Sequence, residues 1–165
     1  MGEPEATADG RYIVVDGRRW RATDPAIPES LRRQLVDELM DARRAVRSDP
    51  DTARPRVRDA KVALGERGEP WWEDPSDEGR RTRIESAIRA MAHARAPKTL
   101  CPSEVARIVG GEQWRPLMPL VREIADDLSE RGVIRVTQTG VPVVASEVKG
   151  PIRLSATDAM EPEDP

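Results

Sequence analysis

At Gly132 the apolar period of the chain changes. Upstream, Leu117, Leu120, Val121, Ile124, Ala125 and Leu128 recur at the spacing that lines one face of a helix. Downstream, Val133-Ile-Arg-Val-Thr-Gln, a turn at Thr139-Gly140 and Val141-Pro-Val-Val have the pattern of a β-hairpin. A helix running straight into a two-stranded ribbon belongs to few folds, and the preceding residues narrow them. Ile84, Ala87, Ile88, Met91 and Ala92 mark a helix from about Arg81 to Arg95, and Thr99-Leu-Cys is a short extended piece. Pro102-Ser-Glu-Val-Ala-Arg-Ile-Val is a short helix, with Pro in its first turn and Glu104 at its positive end, closed by Gly110-Gly111. The next helix starts near Pro116. Pro116 and Pro119 are tolerated only in its first turn, where amides lack partners in any case. The order helix, short strand, helix, helix, ribbon predicts a winged helix-turn-helix over residues 81–154.

The first half is sparser. Tyr12-Ile-Val-Val, Asp16-Gly17 and Arg18-Arg-Trp-Arg predict a hairpin, because an Asp-Gly turn supplies the positive φ angles that a two-residue loop needs. Pro28 opens a helix carrying Leu31, Leu35, Leu39, Ala42 and Val46 as one stripe, ending near Arg47. A second helix is expected from about Pro55 to Glu66, with Gly68 as its stop. After Trp71-Trp72, the acidic residues 73–80 predict a linker. The expected organisation is a disordered tail at 1–10, a hairpin with two helices at 11–72, the linker, the winged helix, and a disordered acidic tail at 155–165. The fold class is α+β and mainly helical.

Charge separates these parts. Residues 1–79 carry 14 basic and 18 acidic side chains, residues 80–154 carry 13 and 8, and residues 155–165 carry none and 4. The basic part is the expected winged helix. Lysine occurs only at 61, 98 and 149, so the arginine excess has the character of a GC-rich bacterial genome and does not by itself indicate function. No apolar run approaches the ~20 residues of a membrane span, and the polar N-terminus does not look like a signal peptide. Cys101 is the only cysteine, which excludes an intrachain disulfide and a cysteine-rich zinc site and suggests the cytoplasm.

Thr99-Leu-Cys-Pro-Ser-Glu-Val-Ala-Arg, Trp114-Arg-Pro-Leu-Met, Val121-Arg-Glu-Ile-Ala, Gly132-Val-Ile-Arg-Val-Thr-Gln-Thr-Gly and Lys149-Gly-Pro-Ile-Arg resemble a bacterial domain family of unknown function. That family is regarded as winged-helix-like, and the likeness covers about residues 82–154. The preceding segment resembles high-GC bacterial proteins sometimes labelled biopolymer transporter, Tol-like. The resemblance implies a fold and brings no catalytic residues with it.

Two kinds of partner fit the pattern. In a helix-turn-helix the start of the second helix enters the major groove. That places Gln113, Arg115 and Arg122 against base edges of duplex DNA, since Arg suits guanine and Gln suits adenine. Ser103, Arg107 and Lys98 are then placed to meet phosphates, with Arg135 and Gln138 in the wing and Lys149 and Arg153 after it. Against this, Asp126, Asp127 and Glu130 lie on the same helix, and such charges on a small domain are commonly only solvated. The alternative is a protein–protein adaptor, with Trp71 and Trp72 as anchors for a partner. The plainer assignment of these tryptophans is packing between the two halves, and that of Trp114 is packing in the turn between helices. The basic run Arg43 to Lys61 is interleaved with aspartates, as on a solvated helical pair.

Catalytic signals are few. His93 and Cys101 are each the only one of their kind, and Cys101 is expected to be a structural thiol. Gly110-Gly111 lacks the lysine of a phosphate-binding loop. The sequence therefore predicts a non-enzymatic cytoplasmic binding protein without cofactor or metal, DNA-binding or transcription-associated on the leading reading and a protein–protein adaptor on the alternative.

Overall fold

The computed structural model describes residues 4–158 and is α+β. Three short strands open it: β1 (Glu5–Ala6), β2 (Tyr12–Val15) and β3 (Arg18–Arg21), antiparallel in that order. Tyr12 pairs with Arg21 and Ile13 with Trp20, and Asp16 and Gly17 turn the hairpin at φ 51° and 77°. The strand β1 corrects the expectation of a disordered segment over 1–10: Glu5 pairs with Val14 and Ala6 with Ile13. Residues 1–3 of that segment lie outside the described residues.

Helix α1 (Glu29–Ala45) buries Leu31, Leu35, Leu39 and Ala42, the stripe read from the sequence. Helix α2 (Pro50–Ala63) begins five residues earlier than Pro55. The Asp49 carboxylate accepts the Thr52 amide, and Pro50 takes a first-turn position where its missing N–H costs nothing. Its stop is Gly65, not Gly68. Gly65 has φ +79°, and a Cβ there would lie 3.1 Å from the Asp24 side chain and 3.2 Å from Trp71.

Helix α3 (Asp77–Arg95) starts four residues before Arg81, so the acidic segment expected as a linker is helical from Asp77. Ser76 caps it by accepting the Gly79 amide at 3.0 Å, and Asp77 and Glu78 face the positive end of the helix dipole. Helix α4 (Pro102–Gly110) is followed by two short 3-10 turns, Gly111–Gln113 and Arg115–Leu117, and by α5 (Met118–Glu130). The chain ends its described part in a second antiparallel sheet of β4 (Ile134–Gln138), β5 (Val141–Pro142) and β6 (Arg153–Ala156), ordered β5-β4-β6. Leu100, in the short extended piece, bridges to Leu154. From α3 onward the elements run helix, short extended piece, helix, helix, sheet, an order compatible with a winged helix.

Two further boundaries differ from the sequence expectation. The wing's second strand shortens to two residues, and Ser155 and Ala156 are not tail but strand, pairing with Arg135 and Ile134. Residues 159–165 of the expected tail lie outside the described residues. The core also runs past the acidic segment. Leu31, Leu35, Leu39, Ala60 and Leu64 share one buried cluster with Ile84, Ile88, Met91, Val105, Ile108, Leu128 and Leu154. Among the described residues, no helix is long and apolar enough to cross a membrane.

Candidate binding cleft and helix-turn-helix surface

The Trp71-Trp72 loop is held in place on three sides. The Trp71 indole donates to the Ala22 carbonyl at 2.9 Å, and Arg21 donates to the Gly68 carbonyl at 2.8 Å. Glu69 closes the loop by accepting the Ser76 amide at 2.8 Å and the Ser76 hydroxyl, and these bonds hold its carboxyl below the ordinary value. The two indoles meet edge to face at 5.2 Å, and Trp72 meets Tyr12 in the same way at 5.5 Å. Trp71 and Trp72 are half-buried, so they pack the first half and still offer surface.

Opposite this loop lies the turn between α4 and α5. The two enclose a cleft of about 890 Å³. Trp71, Trp72, Pro75 and Val62 line it from the first half, and Val109, Gly110, Gln113 and Leu117 from the second. Arg83 forms part of the lining: it donates to Asp24 at 2.9 Å, to the Ala63 carbonyl at 3.1 Å and to the Ile108 carbonyl at 3.3 Å. One guanidinium thus joins the end of α2, the end of α4 and the segment before α1. Burial pulls its pKa down and the Asp24 charge opposes this. No pattern in the sequence pointed to Arg83, because all three partners are distant along the chain. The exposed carboxylates Glu73, Asp74 and Glu78 also line the cleft.

At the helix-turn-helix the predicted DNA-facing residues divide. Arg107 and Arg115 stack on Trp114, 4.7 Å and 4.6 Å from the ring centre, and both are exposed, as is Gln113. Trp114 itself is half-buried against the core, which agrees with a packing role in the turn. Arg122 is occupied elsewhere. Its guanidinium donates to the carbonyls of Ala145 (2.9 Å), Val148 (3.2 Å) and Gly150 (2.6 Å), fastening the segment after the wing. Asp126 fastens it from the same helix by accepting the amides of Ala145 and Ser146 at 2.6 Å and 2.9 Å. Gln138 donates to the Lys149 carbonyl at 2.7 Å, while the Lys149 side chain is exposed.

Arg153 donates to the Thr99 hydroxyl at 2.8 Å, next to exposed Lys98. Ser103 is half-buried, its hydroxyl 3.1 Å from Cys101 Sγ. Arg135 lines a smaller cavity of about 240 Å³ with His93 and Ser155, and His93 Nε2 is buried there without a hydrogen-bond partner among the described residues. Arg95 pairs with Glu104, which also accepts the Cys101 amide at 3.0 Å. Burial raises the Glu104 carboxyl, but these two hydrogen bonds outweigh it and hold the group below its ordinary value.

The solvent side of α5 is not basic. Pro119, Glu123, Asp127 and Glu130 are exposed, with Glu123 paired to Arg81 at 2.9 Å and Asp127 to Arg131 at 3.0 Å.

Residues 81–157 match the family described as a protein of unknown function (DUF3253). The matched span begins one residue before and ends three residues after the resemblance read from the motifs, and so takes in the whole of β6. It leaves residues 1–80 uncovered and lends no support to the Tol-like likeness there. No curated protein matches the chain.

Proposed function

We propose that the protein is a non-catalytic adaptor whose cleft holds an extended partner segment, one with an apolar anchor flanked by basic side chains. The observation that carries this reading is the cleft between the Trp71-Trp72 loop and the α4–α5 turn. Its volume of about 890 Å³ is that of a ligand site. Tryptophan is the side chain most enriched where interfaces concentrate their energy. The carboxylates of Glu73, Asp74 and Glu78 complement a basic partner. The acidic solvent side of α5 favours a protein partner over the phosphate backbone of DNA. A reducing cytoplasm suits a protein with one free thiol.

The test is a titration of decapeptides with a central Leu or Trp between arginines, followed by tryptophan fluorescence. A saturable change is expected, weakened about tenfold or more by Trp72→Ala, the scale of a lost anchor. Replacing the peptide arginines by glutamates should abolish it. Equal responses to both charge types, or no response to any of these peptides, would remove the support for this reading.

A second reading is duplex DNA binding through the helix-turn-helix, in a transcription-associated role. One observation favours it: Arg107, Gln113 and Arg115 are exposed together around Trp114. On this reading Arg107→Ala with Arg115→Ala abolishes a salt-dependent shift of duplex DNA, and the absence of any shift at low salt counts against it.

A further inference from the structure

The N-terminal hairpin contributes no residue to the buried core, yet it holds the densest run of cations beside aromatic rings in the chain. Residues 11–21 contain four arginines and a single acid, Asp16 in the turn. Each guanidinium lies over a ring. Arg18 is 4.4 Å from the centre of Trp20 and Arg19 is 4.0 Å from that of Tyr12. Arg11 and Arg21 approach Trp72 at 5.1 Å and 5.8 Å.

The pairing register sorts these residues onto two faces. Ile13 opposes Trp20 and Val15 opposes Arg18, so these four share one face, joined by Ala6 of β1. Tyr12, Val14, Arg19 and Arg21 share the other, with Glu5 at its far edge. The second face is the one turned to the body, since Trp72 packs edge-on against Tyr12. On the first face Trp20 is 43% exposed. β3 is an edge strand, so Arg18 and Arg19, on opposite faces, border the same open rim.

Among the described residues Arg11, Arg18 and Arg19 take part in no ion pair. Carboxylates instead occupy Arg32, Arg56, Arg83, Arg95 and Arg131 elsewhere in the fold. The Arg18 and Arg19 guanidiniums thus keep their hydrogen-bond donors for an external acceptor, and the rings beneath limit their freedom before any ligand arrives.

We infer that this hairpin binds single-stranded nucleic acid, with an unpaired base stacked at Trp20 and the backbone phosphates on Arg18 and Arg19. Sequence-tolerant single-strand binding needs these two elements together, exposed rings for base faces and cations for the backbone. A duplex hides its base faces and gives Trp20 nothing to stack on. The site lies apart from the α4–α5 turn and stands or falls independently of the adaptor reading.

The test is fluorescence anisotropy of the full chain with labelled rU12, dT12 and a 20-base-pair duplex at 50 mM KCl. Both single strands should bind in preference to the duplex. Arg18→Ala with Arg19→Ala should lower affinity at least tenfold and flatten the salt dependence by about 1.4 in log–log slope, the share of two phosphates on a single strand. Trp20→Ala should lower affinity at least fivefold, with Trp20→Phe recovering most of it, since a smaller ring still stacks. Circular dichroism of each variant should match the parent, because all three side chains are exposed. No binding of rU12 or dT12 overturns the inference, as does binding that survives the double arginine variant. Loss only on Arg107→Ala with Arg115→Ala would place the nucleic acid at the helix turn and overturn it too. Vesicles containing 30% phosphatidylserine form a further arm, and binding to them without binding to either oligonucleotide also counts against it.

Discussion

Asp59 is a carboxylate with few compensations. It is 7% exposed, it accepts the Ser86 hydroxyl at 3.2 Å, and Arg58 lies 3.6 Å away. Burial raises its pKa above 3.8, and the charges of Arg58 and Arg89 oppose this only in part. Below the unfolded value the group is neutral in both states and costs nothing. As pH rises through the folded value, the native state must bury a charge and stability is lost. Asp59→Asn should therefore raise the melting temperature at pH 7 and leave it unchanged near pH 3, as measured by thermal denaturation across pH. Gly65 is a second position decided by a single residue. Alanine there meets both an unfavourable φ and the Asp24 and Trp71 side chains. Gly65→Ala should cost about 1–3 kcal/mol in urea denaturation.

At the scale of elements, α5 holds the wing with charge, not with apolar burial alone. Arg122 spans three carbonyls and Asp126 two amides of the segment from Ala145 to Gly150. Hydrogen bonds to charged groups contribute about 1.5–3 kcal/mol. Asp126→Ala should speed amide exchange at Ala145 and Ser146 at least tenfold and leave the α1–α2 pair unaffected. An unchanged exchange rate would mean that the segment is held by other contacts. The sequence showed α5 itself, through its apolar spacing and Gly132. It did not show which polar residues face the wing. Arg122 appeared suited to a base edge because a charge on a helix looks the same from sequence whether it meets solvent, DNA or a carbonyl.

The whole molecule is tied together at Arg83. Asp24 is buried and the Arg83 guanidinium half-buried against it, and Arg83 also reaches carbonyls at the ends of α2 and α4. Removing one partner of such a pair strands the other charge in the interior, at a cost of about 3–5 kcal/mol. Arg83→Met should lower stability by about that amount. Because Leu35 and Leu64 share a core with Ile88 and Leu128, urea unfolding of the parent should be one transition. Tryptophan fluorescence and far-ultraviolet circular dichroism should then give the same midpoint.

The sequence by itself determined the helices, both hairpin turns and the order of elements from α3 onward. Those features rest on local physics: apolar period, first-turn prolines and glycines at positive φ. It also carried the three arginines and the tryptophan of β3. Tertiary structure alone decided that Trp71, Trp72, Gln113 and Leu117 border one cleft, that Arg122 and Asp126 serve the wing, and that β6 completes the second sheet. Each of these joins residues 16 or more positions apart in the chain. A spacing rule reports which face a side chain takes, but only the packing of one element on another determines what that face meets.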